Sequence, residues 1–198
     1  MKIVIINYGA GNIQSIKFAI QRLGFEAVLS NDAEEIRNAD KVIFPGVGEA
    51  SSAMVKLRTS GLDKIILDLE QPVLGICLGM QLMCNSSEEG DTEGLGIFDV
   101  DVVKFSPPIP EGRVKIPQIG WNQIADLKSC LFESVNEGEH IYLVHSYYAP
   151  ICDETIAKSN YDGEYSAALK KNNFYGTQFH PEKSSDVGER ILRNFLKM

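Results

Sequence analysis

The chain has 198 residues, 44% of them hydrophobic, and a formal net charge of −8 at pH 7. That length buries about 70% of the unfolded surface in one core, and the acidic balance excludes a nucleic-acid-binding protein, which needs a basic face. No apolar run approaches the ~20 residues of a membrane span. The opening Met1-Lys2-Ile3-Val4-Ile5-Ile6 is too short for the apolar region of a signal peptide and reads as a first strand. The cysteines Cys77, Cys84, Cys130 and Cys152 show no C-x-x-C spacing, so neither a metal site nor a disulfide framework is indicated. A reducing cytoplasm, where a free thiol survives, is the expected compartment.

The first half alternates strand and helix. A strand over Lys2–Asn7 leads through Tyr8-Gly9-Ala10-Gly11 into a helix from Asn12, with Ile13, Ile16, Ala19, Ile20 and Leu23 at helical spacing and Gly24 closing it. Gly9-x-Gly11 suggests a dinucleotide loop, but the third glycine of that fingerprint is missing. A strand near Glu26–Ser30, a helix capped by Asn31 or Asp32, and a strand over Lys41–Pro45 follow. Next come a helix over Glu49–Arg58, another to about Leu69, and the apolar strand Pro72–Ile76. This pattern predicts an α/β fold: an open, mixed, mostly parallel sheet with helices on both faces. In such sheets chemistry collects at the carboxyl ends of the strands.

The stretch Phe105–Ile119 holds four prolines and reads as a long loop. The second half is richer in strands: His140–Tyr147, Thr155–Tyr161, Tyr165–Lys170 and Asn173–Phe179, with turns at Asp162-Gly163 and Lys171-Asn172. A last amphipathic helix carries Val187, Ile191, Leu192, Phe195 and Leu196 on one stripe. No linker interrupts the chain, so residues 1–198 are expected to form a single domain.

Three segments carry chemistry. Gly75-Ile76-Cys77-Leu78-Gly79 joins a buried strand to a helix and reads as a nucleophile elbow. A sharp turn there presents the thiol at the sheet edge, and the helix dipole favours its thiolate. Phe179-His180-Pro181-Glu182 supplies a base and, two residues on, a carboxylate that can reach back to orient the imidazole. Pro45-Gly46-Val47-Gly48 reads as an oxyanion loop, where backbone amides at Val47 and Gly48, with the Leu78 amide, approach a developing negative charge. Cys84, Cys130 and Cys152 lack such a setting, and His140 and His145 read as structural or interface residues.

With these segments in place the chain closely resembles the triad, or class I, glutamine amidotransferases. Tyr8-Gly9-Ala10-Gly11-Asn12, Gly120-Trp121-Asn122 and Val144-His145-Ser146-Tyr147 make it similar, within that family, to the glutaminase subunits of imidazole glycerol phosphate synthase. The resemblance runs essentially from end to end and implies the flavodoxin-like fold of class I amidotransferases. It implies Cys77, His180 and Glu182 as the catalytic triad and Gln81, Glu89, Ser146 and Tyr147 as glutamine contacts. It also implies a (β/α)₈ barrel cyclase partner, met through Asn12, Trp121, Tyr142 and Lys183, that receives ammonia and makes imidazole glycerol phosphate in histidine biosynthesis. No cofactor or metal is implied. One departure stands out: Gln118-Ile119 replaces the histidine and methionine usual in the family. A paralogous glutaminase that supplies ammonia to a sugar-amidating enzyme of surface polysaccharide synthesis is the alternative. A vitamin B6 glutaminase is disfavoured by Trp121 and His145-Ser146-Tyr147, and a non-catalytic thiol sensor by the complete triad.

Overall fold

A computed structural model describes residues 1–9, 11–105 and 115–198. Strands β1 (Ile3–Ile6), β2 (Ala27–Ser30), β3 (Lys41–Gly46) and β4 (Val73–Cys77) alternate with helices α1 (Ile13–Arg22), α2 (Ala33–Arg37), α3 (Ala50–Ser60) and α4 (Leu62–Leu67). Helix α5 (Leu78–Leu82) follows β4 with no residue between. Then come β5 (Cys84–Ser87), β6 (Thr92–Glu93), β7 (Phe98–Lys104), β8 (Gln118–Gln123), β9 (His140–His145) and β10 (Tyr147–Tyr148). The chain closes with β11 (Thr155–Asn160), β12 (Glu164–Lys171), β13 (Phe174–Thr177) and helix α6 (Ser185–Lys197).

The main sheet has the order β11-β12-β13-β4-β3-β1-β2. Strands β2, β1, β3, β4 and β13 run parallel, and the β11–β12 hairpin adds an antiparallel edge. Every residue of β1, β3, β4 and β13 is buried, as both faces of the sheet are covered. On β1 the pleat sends Val4 and Ile6 to one core, with α2, α3, α4 and α5. Ile3 and Ile5 go to the other, with Ile16, Ala19 and Ile20 of α1 and Ile191, Leu192 and Phe195 of α6. The expected mixed, mostly parallel sheet with helices on both faces is therefore what forms. Of the two cap candidates for α2 it is Asp32, whose side chain accepts a hydrogen bond from the Glu35 amide at 2.8 Å.

Three expectations are corrected. The segment Cys84–Lys104, joined by β10, forms a second sheet, β10-β7-β5-β6, that the sequence pattern did not announce. The end of the expected loop, Gln118–Ile119, belongs to β8, which pairs antiparallel with β9; residues 106–114 of that loop, like Ala10, lie outside the described residues. The expected strand His140–Tyr147 breaks at Ser146, because β9 pairs with β8 whereas β10 pairs with β7. The chain changes partners at Ser146, whose carbonyl accepts from the Phe105 amide.

Candidate active site

Cys77 ends β4 and takes φ 54°, ψ −112°, a conformation L-residues rarely adopt. Such a backbone costs about 1–3 kcal/mol and persists only where packing over-determines it. Here three glycines do so. A Cβ on Gly79 would collide with the Phe44 carbonyl, one on Gly46 with the Gly79 amide nitrogen, and one on Gly75 with the Met83 side chain. The backbones of β3, β4 and α5 therefore touch, and the elbow has no room to relax.

The thiol is buried, with Sγ 3.8 Å from the Val144 carbonyl, to which S–H donates. The Gln178 side-chain amide donates to Sγ at 3.9 Å. His180 stands just beyond β13, held by its amide donating to the Tyr142 carbonyl at 2.9 Å and by the Ser184 hydroxyl donating to its carbonyl at 2.7 Å. Its Nδ1 donates to Glu182 Oε1 at 2.8 Å, which leaves Nε2 for the thiol. Proline at the start of the short 3₁₀ turn Pro181–Lys183 brings the carboxylate back under the ring. Burial on its own lowers the pKa of His180; hydrogen bonds to Cys77 and Glu182 outweigh it and push the value up to about 10. A proton that passes from the thiol to the ring is therefore held between sulfur and carboxylate.

A cavity of about 350 Å³ opens over the sulfur. It gathers Val47, Gly48, Cys77, Leu78, Gln81, Glu89, Ser146, Tyr147 and His180 from segments far apart in the chain. Glu182 sits behind His180, its side chain fully enclosed. Glu89 is partly committed already: its Oε2 accepts from the Ala50 amide at the start of α3 at 2.9 Å. Burial holds the Glu89 carboxyl above the usual range, opposed by that hydrogen bond. The Tyr8 hydroxyl, buried and kept protonated by that burial, donates to the Pro45 carbonyl at 2.8 Å and anchors the start of the Val47–Gly48 turn.

Of the residues expected at an interface, Trp121, Tyr142 and Lys183 come together. Trp121 meets Tyr142 edge-on at 5.8 Å, and Lys183 Nζ lies 5.9 Å from the Tyr142 ring centre while also lining the cavity. Asn12 does not line the cavity; it stands at the N-terminus of α1, where its side chain accepts from the Ser15 hydroxyl. Gln118 turns inward, accepting from the Tyr165 hydroxyl at 3.0 Å, and Ile119 turns outward beside Trp121. Neither lines the cavity, although Pro117 does.

His145, expected as a structural or interface residue, is buried and lines the cavity. Its Nδ1 donates to the Tyr147 carbonyl at 2.8 Å and its Nε2 has no partner among the described residues. Burial pushes its pKa down to about 4, against that hydrogen bond and aided by the charge of His180. Gln178 was also missed, since a buried strand-end glutamine carries no sequence signal. Cys84 is fully enclosed, and burial pushes its thiol far up. Among the described residues, no group of three His, Cys, Asp or Glu is placed to hold a metal ion, and no helix is long and apolar enough to cross a membrane.

Fold and site together define an α/β protein with a buried cysteine on a strand-to-helix elbow beside a histidine–glutamate pair. The glutamine amidotransferase class-I profile matches residues 4–198. The chain belongs to the class I glutamine amidotransferase family. Among its relatives, an imidazole glycerol phosphate synthase subunit HisH of Bacteroides fragilis is 56% identical over the full length of both chains. That of Pectobacterium atrosepticum is 46% identical, again over both full lengths. A crystal structure of a glutamine amidotransferase superposes with a TM-score of 0.74 at 18% identity, covering 98% of this chain and 97% of that one. PurLQS from Thermotoga maritima gives 0.72 at 16%, covering 99% and 97%. These two likenesses concern the fold alone.

Proposed function

We propose that this enzyme hydrolyses glutamine to glutamate and ammonia and passes the ammonia to a (β/α)₈ barrel cyclase that forms imidazole glycerol phosphate, as a subunit of that cytoplasmic synthase. The observation that carries the chemistry is the relay from Glu182 through His180 to Cys77 at the floor of a cavity lined by Gln81 and Glu89. Those two side chains offer acceptors suited to an α-ammonium.

The steps follow from the groups present. Sulfur, relieved of its proton by His180, bonds to the carboxamide carbon, and the carbonyl electron pair moves onto oxygen. Amides at Val47 or Gly48 and at Leu78 receive that oxyanion. As the tetrahedral centre collapses, the carbon–nitrogen bond breaks and His180 gives its proton to the departing nitrogen, which leaves as ammonia. Water then attacks the thioester carbon, its proton going to His180, and the carbon–sulfur bond breaks to release glutamate and restore the thiol. Glu182 holds the imidazole in one tautomer throughout.

The assignment to a synthase subunit draws support from the relatives' names and from an exposed apolar face, on which Ile119 and Trp121 of β8 stand 63% and 53% exposed. The test is a coupled assay with a (β/α)₈ barrel cyclase, glutamine, and the ribonucleotide substrate of the histidine pathway. Cys77→Ala should lose glutamine-dependent cyclisation by at least about 10⁴-fold, whereas added ammonium salt restores product. Glutaminase activity without cyclisation would move the ammonia to another acceptor, such as a sugar.

A further inference from the structure

A backbone carbonyl fixes the orientation of two buried side-chain amides in the site, and through them the polarity of the group that faces the nucleophile. The Gln81 side chain lies 2.9 Å from the Tyr147 carbonyl oxygen. A carbonyl oxygen only accepts, so the Gln81 atom facing it is the NH₂ nitrogen. That nitrogen spends its second hydrogen on a Gln178 side-chain atom at 2.9 Å, which must then be Oε1. The Gln178 NH₂ is left pointing the other way, at the Cys77 sulfur 3.9 Å away. Gln178 is completely buried and Gln81 nearly so, leaving neither amide a solvent alternative.

We propose that Gln178 is a positioning residue with two effects on the reaction described above, on whose glutamine substrate the second of them rests. The first acts on the sulfur. A thiol donates to the Val144 carbonyl, but a thiolate meets that same carbonyl as a repulsive dipole, so the N–H of Gln178 is a donor that favours the charged nucleophile. The second acts on the substrate. With both Gln81 hydrogens committed, Gln81 offers the cavity only its carbonyl oxygen, an acceptor for an ammonium and a poor partner for a carboxylate. One hydrogen-bonded chain, running Tyr147–Gln81–Gln178–Cys77, thereby couples recognition of the amino-acid end of glutamine to the state of the nucleophile.

Two variants of nearly the same volume separate the effects. Gln178→Glu keeps an acceptor for Gln81 and loses the donor to sulfur; Gln178→Met loses both. Cys77 is labelled with iodoacetamide across pH in the full chain, and steady-state glutaminase kinetics are measured with the barrel partner present. For Gln178→Glu the acid limb of the labelling profile moves to higher pH and kcat falls about tenfold or more, with KM for glutamine within about twofold of wild type. For Gln178→Met the limb moves likewise and KM also rises about tenfold, the expected loss for an unanchored polar contact. Thermal melts establish that each variant is folded at the assay temperature. If one does not fold, Gln81→Leu reports instead: it frees the Gln178 amide to turn, so the labelling limb of Cys77 shifts although residue 81 never touches sulfur. Labelling profiles that superpose on wild type in the folded variants would overturn the role on sulfur, and an unchanged KM in Gln178→Met the role on Gln81. Because labelling needs no glutamine, a wild-type chain that labels as described but hydrolyses no glutamine would refute the substrate assignment and leave the sulfur contact standing.

Discussion

Two turns meet over the sulfur and are built in opposite ways. At the elbow around Cys77 every residue from Val73 to Met80 is buried, and a single added carbon on Gly46, Gly75 or Gly79 strikes a neighbour. Four residues after the middle of β3, the turn at Val47–Gly48 is exposed, Gly48 takes φ +95°, and a Cβ there would meet nothing within 4 Å among the described residues. Cys77, the proposed nucleophile, is thus held in place, whereas no packing among the described residues pins the turn proposed to carry the oxyanion amides. On the proposed mechanism, attack belongs to the rigid element and stabilisation of the intermediate to an adjustable one, which a bound partner can bias if it prefers one orientation.

Substitutions on each side sharpen the contrast. Gly48→Pro removes an amide hydrogen and forbids the positive φ, so glutamine turnover should fall by about 10²–10³, the usual cost of one oxyanion donor. Its melting temperature should stay within a few degrees of wild type, because no described residue packs against the site. A large loss of stability with modest loss of activity would reverse the assignment of rigid and adjustable turns. Gly79→Ala is the mirror experiment: the clash with Phe44 should destabilise by about 2–4 kcal/mol, or roughly 5–15 °C in Tm for a chain of this size. An unshifted melt would mean that β3 and α5 do not need their close approach.

The cavity wall offers a subtler comparison, between two histidines shifted in opposite directions. His145, with its pKa lowered to about 4, stays neutral in the folded protein where the unfolded chain, near 6.5, already binds a proton. Stability should therefore fall as pH drops from about 6.5 to about 4, by at most about 3 kcal/mol from this group. His180, raised to about 10, acts with the opposite sign: its contribution is full below about 6.5 and is lost as pH rises through 10. Urea unfolding across the acid window should show a shallower decline for His145→Gln than for wild type. Parallel curves would remove His145 as the source. The smallest effect belongs to Val47→Ala, which trims an exposed side chain while keeping the amide and should alter stability by less than about 0.5 kcal/mol.

Much of this was legible in the chain. The elbow could be read because its requirements are local: a buried strand, a helix start, and glycines where two backbones must touch. The His180-Pro181-Glu182 turn was readable for the same reason. The second sheet was not, since β5 is Cys84-Asn85-Ser86-Ser87, a polar run without alternation, and β6 holds only two residues. The strand Gln118–Gln123 was hidden by Pro117 and Gly120, which argue for a loop until β9 supplies its ladder. His145 became visible as part of the cavity wall, and Gln178 as a partner of Gln81 and Cys77, only with three-dimensional placement, because neither position differs along the chain from an ordinary buried polar residue.

The absence of any connecting residue between Cys77 and Leu78 has a consequence for how this sequence can change in length. An α-helix advances about 100° per residue, so one inserted or deleted amino acid at this junction would rotate all of α5 by that angle. Gly79 would leave its place against Phe44, a larger side chain would take it, and Gln81 would swing away from Tyr147. Substitutions elsewhere in the site act one contact at a time, but a length change here dislodges several at once. The junction is therefore a point of fixed length, around which surface loops can lengthen or shorten freely.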